Sequence, residues 1–228
     1  HWVNSIGLRQ PSCCARDAKR LINKLSHWFG RTTPGSNSAG STQQPIKVIQ
    51  PKTLPAPQSD WARARASHFL SKQLQASTQC QHDIIWTSLP TAIDTINKLP
   101  HRGLVYYAGD DFGALAGVDH QTVLQREHTL LNQADLVIAA SDSLKRILQQ
   151  RAPKQRNIKV LPHGVDLTLF QTPTTRARDL PDHPLIAGFY GSLSNWIDQP
   201  LLCRVMQAMP HWQFVFVGQI ETDIRALQ

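Results

Sequence analysis

The chain has 228 residues, room for one large domain or one domain and part of another at about 100–200 residues each. At 41% hydrophobic and 18% charged it can form a sizeable core, and no apolar run approaches the ~20 residues of a membrane span. The net charge of +8 is uneven: residues 1–80 carry 11 Lys/Arg against 2 Asp/Glu, residues 81–228 carry 13 against 14. A basic balance confined to one region argues against a general nucleic-acid binder.

The first residue is His1, and Trp2 to Ile6 already reads as a strand, so the native start is expected upstream. Next, Ala18, Leu21, Ile22, Leu25, Trp28 and Phe29 recur at helical spacing, with Arg16, Arg20, Lys24 and His27 on the other side. Residues 30–45 are Gly/Ser/Thr/Asn/Gln-rich without apolar periodicity and are expected to be a flexible loop. Ile46 to Ile49 predicts a short strand, which Pro51, Pro55 and Pro57 forbid from continuing. Cys13, Cys14, Cys80 and Cys203 have neither metal-ligand spacing nor a disulfide-dense pattern, which fits a reducing cytoplasm.

After a helix over Trp61–Leu74 the pattern becomes regular. Apolar strands are expected at Ile84–Trp86, Leu104–Tyr107, Leu136–Ala139 and Ile158–Leu161, separated by helices at Thr91–Lys98, Gln121–Ala134 and Ser143–Arg151. Short apolar strands alternating with helices predict an α/β fold with a parallel sheet covered on both faces. Asp119 and Ser141 mark two of the helix starts. Beyond Asp166 a proline-broken linker, 167–184, leads to a second unit: strand Leu185–Tyr190, a helix over Ile197–Met209, strand Phe214–Gly218 and a helix beginning at Glu221. Asn195 is the expected N-cap of the first of these helices, with Asp198 in its opening turn.

Ligands of open parallel sheets sit beyond the carboxyl ends of the strands, and four strand ends carry chemistry. The Leu104–Tyr107 strand runs into Gly109, Asp110, Asp111 and Gly113. Adjacent carboxylates on a glycine-flanked loop can orient sugar hydroxyls, act as a base or bind a cation. Equally, one can cap the next segment while the other is solvated. Neighbouring side chains point apart, so a matched acid/base pair is not expected. Ser88, after the Ile84–Trp86 strand, can contact a ligand or cap the proline-started helix that follows. His163 closes the first sheet as a structural or a catalytic residue, and Gly164 permits the turn there. Gly191 and Ser192 put backbone N–H groups where a strand opens a helix, a place for a diphosphate. Nicotinamide, P-loop and zinc readings are disfavoured, because no Gly-x-Gly-x-x-Gly, Walker-type, His-Glu-x-x-His or Cys-x-x-Cys motif occurs.

Three pieces, in order, resemble the GT-B glycosyltransferases, in particular the bacterial family 4 (group 1-like) proteins of exopolysaccharide and cell-wall assembly. They are Trp86 to Pro90 with Leu104 to Phe112; Arg126-Glu127 through Leu131 to Ile138 and Ala140 to Asp142; and Val160 to Asp166 with Phe170, Gly188 to Asp198 and Trp212 to Gly218. The resemblance implies an N-terminal Rossmann-like domain for the acceptor (residues 1–166) and the opening of a C-terminal nucleotide-sugar domain (185–228). It implies transfer of a sugar from a nucleotide-diphosphate donor to a glycan or lipid-linked acceptor, with no bound metal or other cofactor, since helix dipoles and basic side chains neutralise the leaving diphosphate. Asp110 and Asp111 fall at the acceptor side, where Gly109 takes a position that many relatives give to histidine. Ser88, His163 and Gly164 would contact substrate; Gly191, Ser192 and Asn195 would hold the donor diphosphate. The paired glutamates of the family are expected beyond Gln228, so this piece is expected to be an inactive fragment. The basic helix over 16–29 gains a reading as a peripheral contact with anionic lipid on the cytoplasmic face of the plasma membrane, beside that of an ordinary sheet-covering helix. A GT-B-fold sugar-nucleotide epimerase and a non-catalytic basic binding protein are the rival readings.

Overall fold

The computed structural model describes residues 2–3, 46, 48–51, 59–78, 82–115 and 118–227. The expected helix over 16–29, the loop over 30–45, and Cys13, Cys14 and Cys80 lie outside the described residues. The chain divides into two compact units, His1–His163 and Gly164–Gln228.

In the first unit β1 (Trp2–Val3) and β2 (Val48–Ile49) pair in parallel, and α1 spans Asp60–Thr78. Then come β3 (His82–Thr87), β4 (His101–Ala108), β5 (Leu136–Ala139) and β6 (Ile158–Val160), all parallel and in the spatial order β3-β4-β5-β6. Helices α2 (Ile93–Ile96), α3 (His120–Gln133) and α4 (Asp142–Arg151) connect them.

Alternation along β4 sets the layers. Leu104, Tyr106 and Ala108 are buried, and they join Ile93, Ile96, Leu130, Leu131, Val137, Leu144 and Leu148 in one core. Val105 and Tyr107 point to the opposite face, as the period of two requires. Leu130 and Leu131 are wholly buried, each removing enough apolar area to stabilise the unit by about 1.5–3 kcal/mol. A second cluster of Ile49, Leu70, Leu74 and Leu99 seats α1.

Side chains take over the hydrogen bonding where the helices hand back to the sheet. Asp135 Oδ2 accepts from Leu104 N at 2.7 Å, while Asp135 N donates to Leu104 O at 2.9 Å. Asn157 Nδ2 donates to Asp135 O, and Gln155 Nε2 donates to Leu131 O and Ala134 O, the last carbonyls of α3. These groups fix the register of β4, β5 and β6, and so the height at which each strand ends.

The expected helix starts at Asp119 and Ser141 are real caps: their side chains accept from Thr122 N and Leu144 N, both at 3.1 Å. The helix expected over Thr91–Lys98 is shorter. A 3₁₀ turn at Pro90–Ala92 precedes α2, and Lys98 and Leu99 bond back to Thr95 O and Ile96 O, closing the element in a tightened turn.

In the second unit the stretch read as a linker contains a short helix, α5 (Leu167–Gln171), capped by Asp166. β7 (Ile186–Tyr190) and β8 (Gln213–Val217) pair in parallel through α6 (Gln199–Ala208), in a sheet separate from that of β5. Two expectations need correction. The N-cap of α6 is Asp198, whose Oδ1 accepts from Leu201 N at 2.9 Å; Pro200 in the first turn favours that start. Asn195 instead accepts from the Thr222 hydroxyl at 2.6 Å. No helix begins at Glu221, because Glu221 N donates to Leu193 O at 2.8 Å and continues the ladder; a 3₁₀ turn at Arg225–Leu227 follows.

Gly191 (φ 149°) and Gly218 (φ 152°) end the two strands in backbone that side chains resist. A Cβ on Gly218 would lie 1.9 Å from the Gly191 carbonyl oxygen. Gly218→Ala is therefore expected to destabilise the second unit by at least about 2 kcal/mol. Native-state hydrogen exchange should show lost protection in β7 with β4 and β5 unchanged; equal protection in both units would contradict this.

Candidate functional site

The loop after β4 is held from beneath by a buried polar network. Glu127 occupies the apolar stripe of α3 with Val123, Leu130 and Leu131 and is fully buried. The Tyr106 hydroxyl donates to Glu127 Oε1 at 2.8 Å. Arg151, the last residue of α4, places Nη1 2.7 Å from Glu127 Oε2. The same guanidinium reaches the loop, with Nη1 2.8 Å from Asp111 Oδ1 and Nη2 donating to Asp111 Oδ2 at 3.1 Å. A buried carboxylate persists only with such partners, since desolvation disfavours its charge by several kcal/mol. Burial first, then the adjacent Glu127 carboxylate, pushes the Tyr106 phenol far above its ordinary range. Burial pulls the Arg151 guanidinium down, but its hydrogen bond to Asp111 and the charge of Glu127 outweigh that and raise it.

This arrangement separates the two aspartates. Asp111 is half-buried against Arg151, whereas Asp110 is exposed. Asp110 Oδ1 accepts from Asp111 N at 2.8 Å. Phe112 N donates to Asp110 O and Ala114 N to Asp111 O, making a 3₁₀ turn over Phe112–Ala114. Gly113 completes the anchorage: a Cβ there would meet Leu124 Cδ2 at 2.4 Å, and its carbonyl lies 2.7 Å from His120 Nδ1.

Aromatic side chains gather on the other face of the sheet, at the same strand ends. Trp86 of β3 stacks on Tyr107 of β4 with ring centroids 6.1 Å apart and an interplanar angle of 30°. The Tyr107 hydroxyl lies 3.0 Å from His163 Nδ1, and the two rings meet edge-on at 76°. His163 is exposed, three residues beyond β6. Ser88 is exposed just after β3, while the neighbouring Thr87 hydroxyl accepts from Leu89 N and shapes the turn.

Gly164 belongs to the second unit, has no left-handed backbone, and a Cβ there would meet nothing. The turn after His163 therefore does not need glycine, contrary to the sequence expectation. Gly191 does need it, yet its N–H already donates to Val217 O at 2.9 Å, and Leu193 N donates to Gln219 O. Extended-chain alternation points the intervening Ser192 N–H away from β8. Asn195 faces Thr222, and the carboxylate of Asp198 occupies the N-terminus of α6.

Sequence reasoning gave no site role to Trp86, Tyr107, Glu127 or Arg151. For Glu127 the signal was present: a carboxylate at a core position of α3 demands a cation from elsewhere. Among the described residues no group of three His, Cys, Asp or Glu side chains could hold a metal, and no helix is long and apolar enough to cross a membrane.

Parallel strands with helical crossovers and a polar loop at their carboxyl ends define a Rossmann-like α/β protein of the GT-B class. Residues 26–169 match the sequence model of Glycosyltransferase Family 4, and the chain belongs to that family. No curated protein matches it. A family 4 domain implies, in general, a sugar-nucleotide donor and an acceptor as substrates.

Removing Arg151 alone leaves the Glu127 carboxylate buried without its cation. Arg151→Met is expected to lower unfolding free energy by about 3–5 kcal/mol in urea titrations, with part restored by Glu127→Gln in the same chain. The raised Tyr106 phenol adds a pH dependence. Its contribution is full below the unfolded value near pH 10 and falls as pH rises above it, because the unfolded phenol ionises first. Tyr106→Phe should flatten the loss of stability above pH about 10; an unchanged alkaline slope would refute the assignment.

Proposed function

We propose that this protein transfers a hexosyl group from a nucleoside-diphosphate sugar to an acceptor hydroxyl in the assembly of exopolysaccharide or another cell-envelope glycan. The observation that carries the reading is the loop after β4, in which Arg151 fixes Asp111 while Asp110 stands exposed at a strand end. Asp110 is the acceptor-side residue: its carboxylate receives a hydrogen bond from the acceptor hydroxyl and aligns the oxygen for attack. Asp111 acts through the backbone, as the anchor that holds Asp110 in place. The acceptor oxygen bonds to the anomeric carbon as the bond from that carbon to the diphosphate breaks, and the hydroxyl proton passes to the Asp110 carboxylate.

In the second unit, the strand end at Gly191 and Ser192 is the place for the donor diphosphate, through outward-turned amides such as that of Ser192. Asp198 already caps α6, so the diphosphate is best received by the turn before that helix. The charge is neutralised by amides and basic side chains, with no metal. The reaction belongs at the cytoplasmic face of the plasma membrane, and the basic segment 16–29 supplies the peripheral contact with anionic lipid.

The test is transfer, by a homologue that carries both the same loop after β4 and the family's paired glutamates, of labelled hexose from a panel of uridine and guanosine diphosphate sugars to glycan and lipid-linked acceptors. Asp110→Asn is expected to lower kcat/KM by about 100-fold, the loss of one positioned catalytic carboxylate. A free isomerised sugar in place of a glycosidic bond, or full turnover in Asp110→Asn, would overturn the proposal.

A further inference from the structure

The aromatic group on the outer face of the first unit is built for a ligand of definite chemistry. Trp86 is 58% exposed, although it sits in a strand whose next residue, Thr87, is buried. Its ring is held from one side: Tyr107 stacks on it, and Tyr107 is fixed in turn by the bond between its hydroxyl and His163 Nδ1. With Nδ1 engaged by the phenol, Nε2 is the ring nitrogen left to meet a hydroxyl outside, and either tautomer serves a group that both donates and accepts. Beyond Tyr107 the chain has Gly109, where a Cβ would stand 3.4 Å from Tyr107 Cε1 and 3.7 Å from His163 Cε1. Its lack of a side chain leaves both ring edges open. Ser88, exposed and directly after β3, adds a hydroxyl at the same end of the sheet.

An exposed indole face at a strand end that also carries an imidazole and a hydroxyl complements a pyranose ring. One face of such a sugar presents C–H groups that pack on an aromatic surface, and its rim presents hydroxyls that both donate and accept. An acyl chain has no use for the polar border. We infer that Trp86, Tyr107 and His163 form a monosaccharide subsite, and that the acceptor is itself a glycan whose terminal pyranose stacks on Trp86. The inference rests on the transferase reading for its biological meaning, and on the ring geometry alone for the binding. Trp86 is the platform, His163 the hydrogen-bond partner of the rim, and Tyr107 a positioning residue that acts through both.

The experiment is saturation-transfer NMR and tryptophan fluorescence on the full chain, with methyl β-D-glucopyranoside, methyl β-D-galactopyranoside and methyl α-D-mannopyranoside as probes and cyclohexanemethanol as the apolar control. At least one glycoside should bind with a dissociation constant of about 1–10 mM, with saturation strongest at its ring C–H protons. Trp86→Leu should weaken it about tenfold, Trp86→Phe less, and His163→Gln by a few-fold, with circular dichroism unchanged. Ile84, exposed two residues earlier on the same face, serves as the control position, and Ile84→Ser should leave glycoside binding intact. Binding of cyclohexanemethanol as tight as that of the glycosides, weakened by Ile84→Ser, would show a surface for another apolar body and overturn the inference. So would the absence of glycoside binding, or its persistence in Trp86→Leu. Transfer to acceptors without a sugar, together with no Trp86-dependent glycoside binding, would remove the subsite and leave the transferase reading standing. Glycoside binding without transfer would do the reverse.

Discussion

A carboxylate on the inner stripe of a helix must be neutralised or its burial is prohibitive, and the first unit is organised around meeting that demand at Glu127. The partners come from separate parts of the chain: a phenol from the end of β4 and a guanidinium from the end of α4. Because Arg151 has donors to spare, the same side chain reaches the loop and takes hold of Asp111. A requirement of the core thus determines the conformation of the surface above it. The division of labour between Asp110 and Asp111 follows from that electrostatic arrangement, and their order in the sequence does not reveal it.

The strand ends present two faces of differing character. Toward the helices lies the ionic network and the aspartate loop; on the far side lie Trp86, Tyr107 and His163. Tyr106 and Tyr107 show how one strand feeds both. Adjacent in sequence, they project to opposite faces, one into the Glu127 network and one into the ring stack. The polar loop and the aromatic surface are therefore set in register by the same two residues of β4.

Much of this was legible before any coordinates. Apolar runs bounded by helix signals located the strands to within a few residues, because caps and apolar stripes mark the helices that separate them. Asp119 and Ser141 were readable as caps since each stands directly before a helical stripe. Asn195 misled because it is a good capping residue in isolation; Pro200, two residues past Asp198, carried the better signal. Glu221 resembled a helix start, but its amide is taken by Leu193 in a pairing across 28 residues of chain that no local pattern reveals. Trp86 and Tyr107 read as ordinary strand residues, because a sequence does not say which face of a sheet stays open. The link from Arg151 to Asp111 spans forty residues and depends on where α4 ends.

That ending has a dynamic corollary. The final turn of a helix is its loosest part, and here the residue that closes α4 also tethers the aspartate loop, while its carbonyl lies 3.0 Å from His128 Nδ1. Fraying of that turn and excursions of the loop are one motion. By reciprocity, whatever settles against Asp110 and quiets the loop must also quiet the tip of α4, so occupancy at the mouth of the sheet is registered at a helix terminus well behind it.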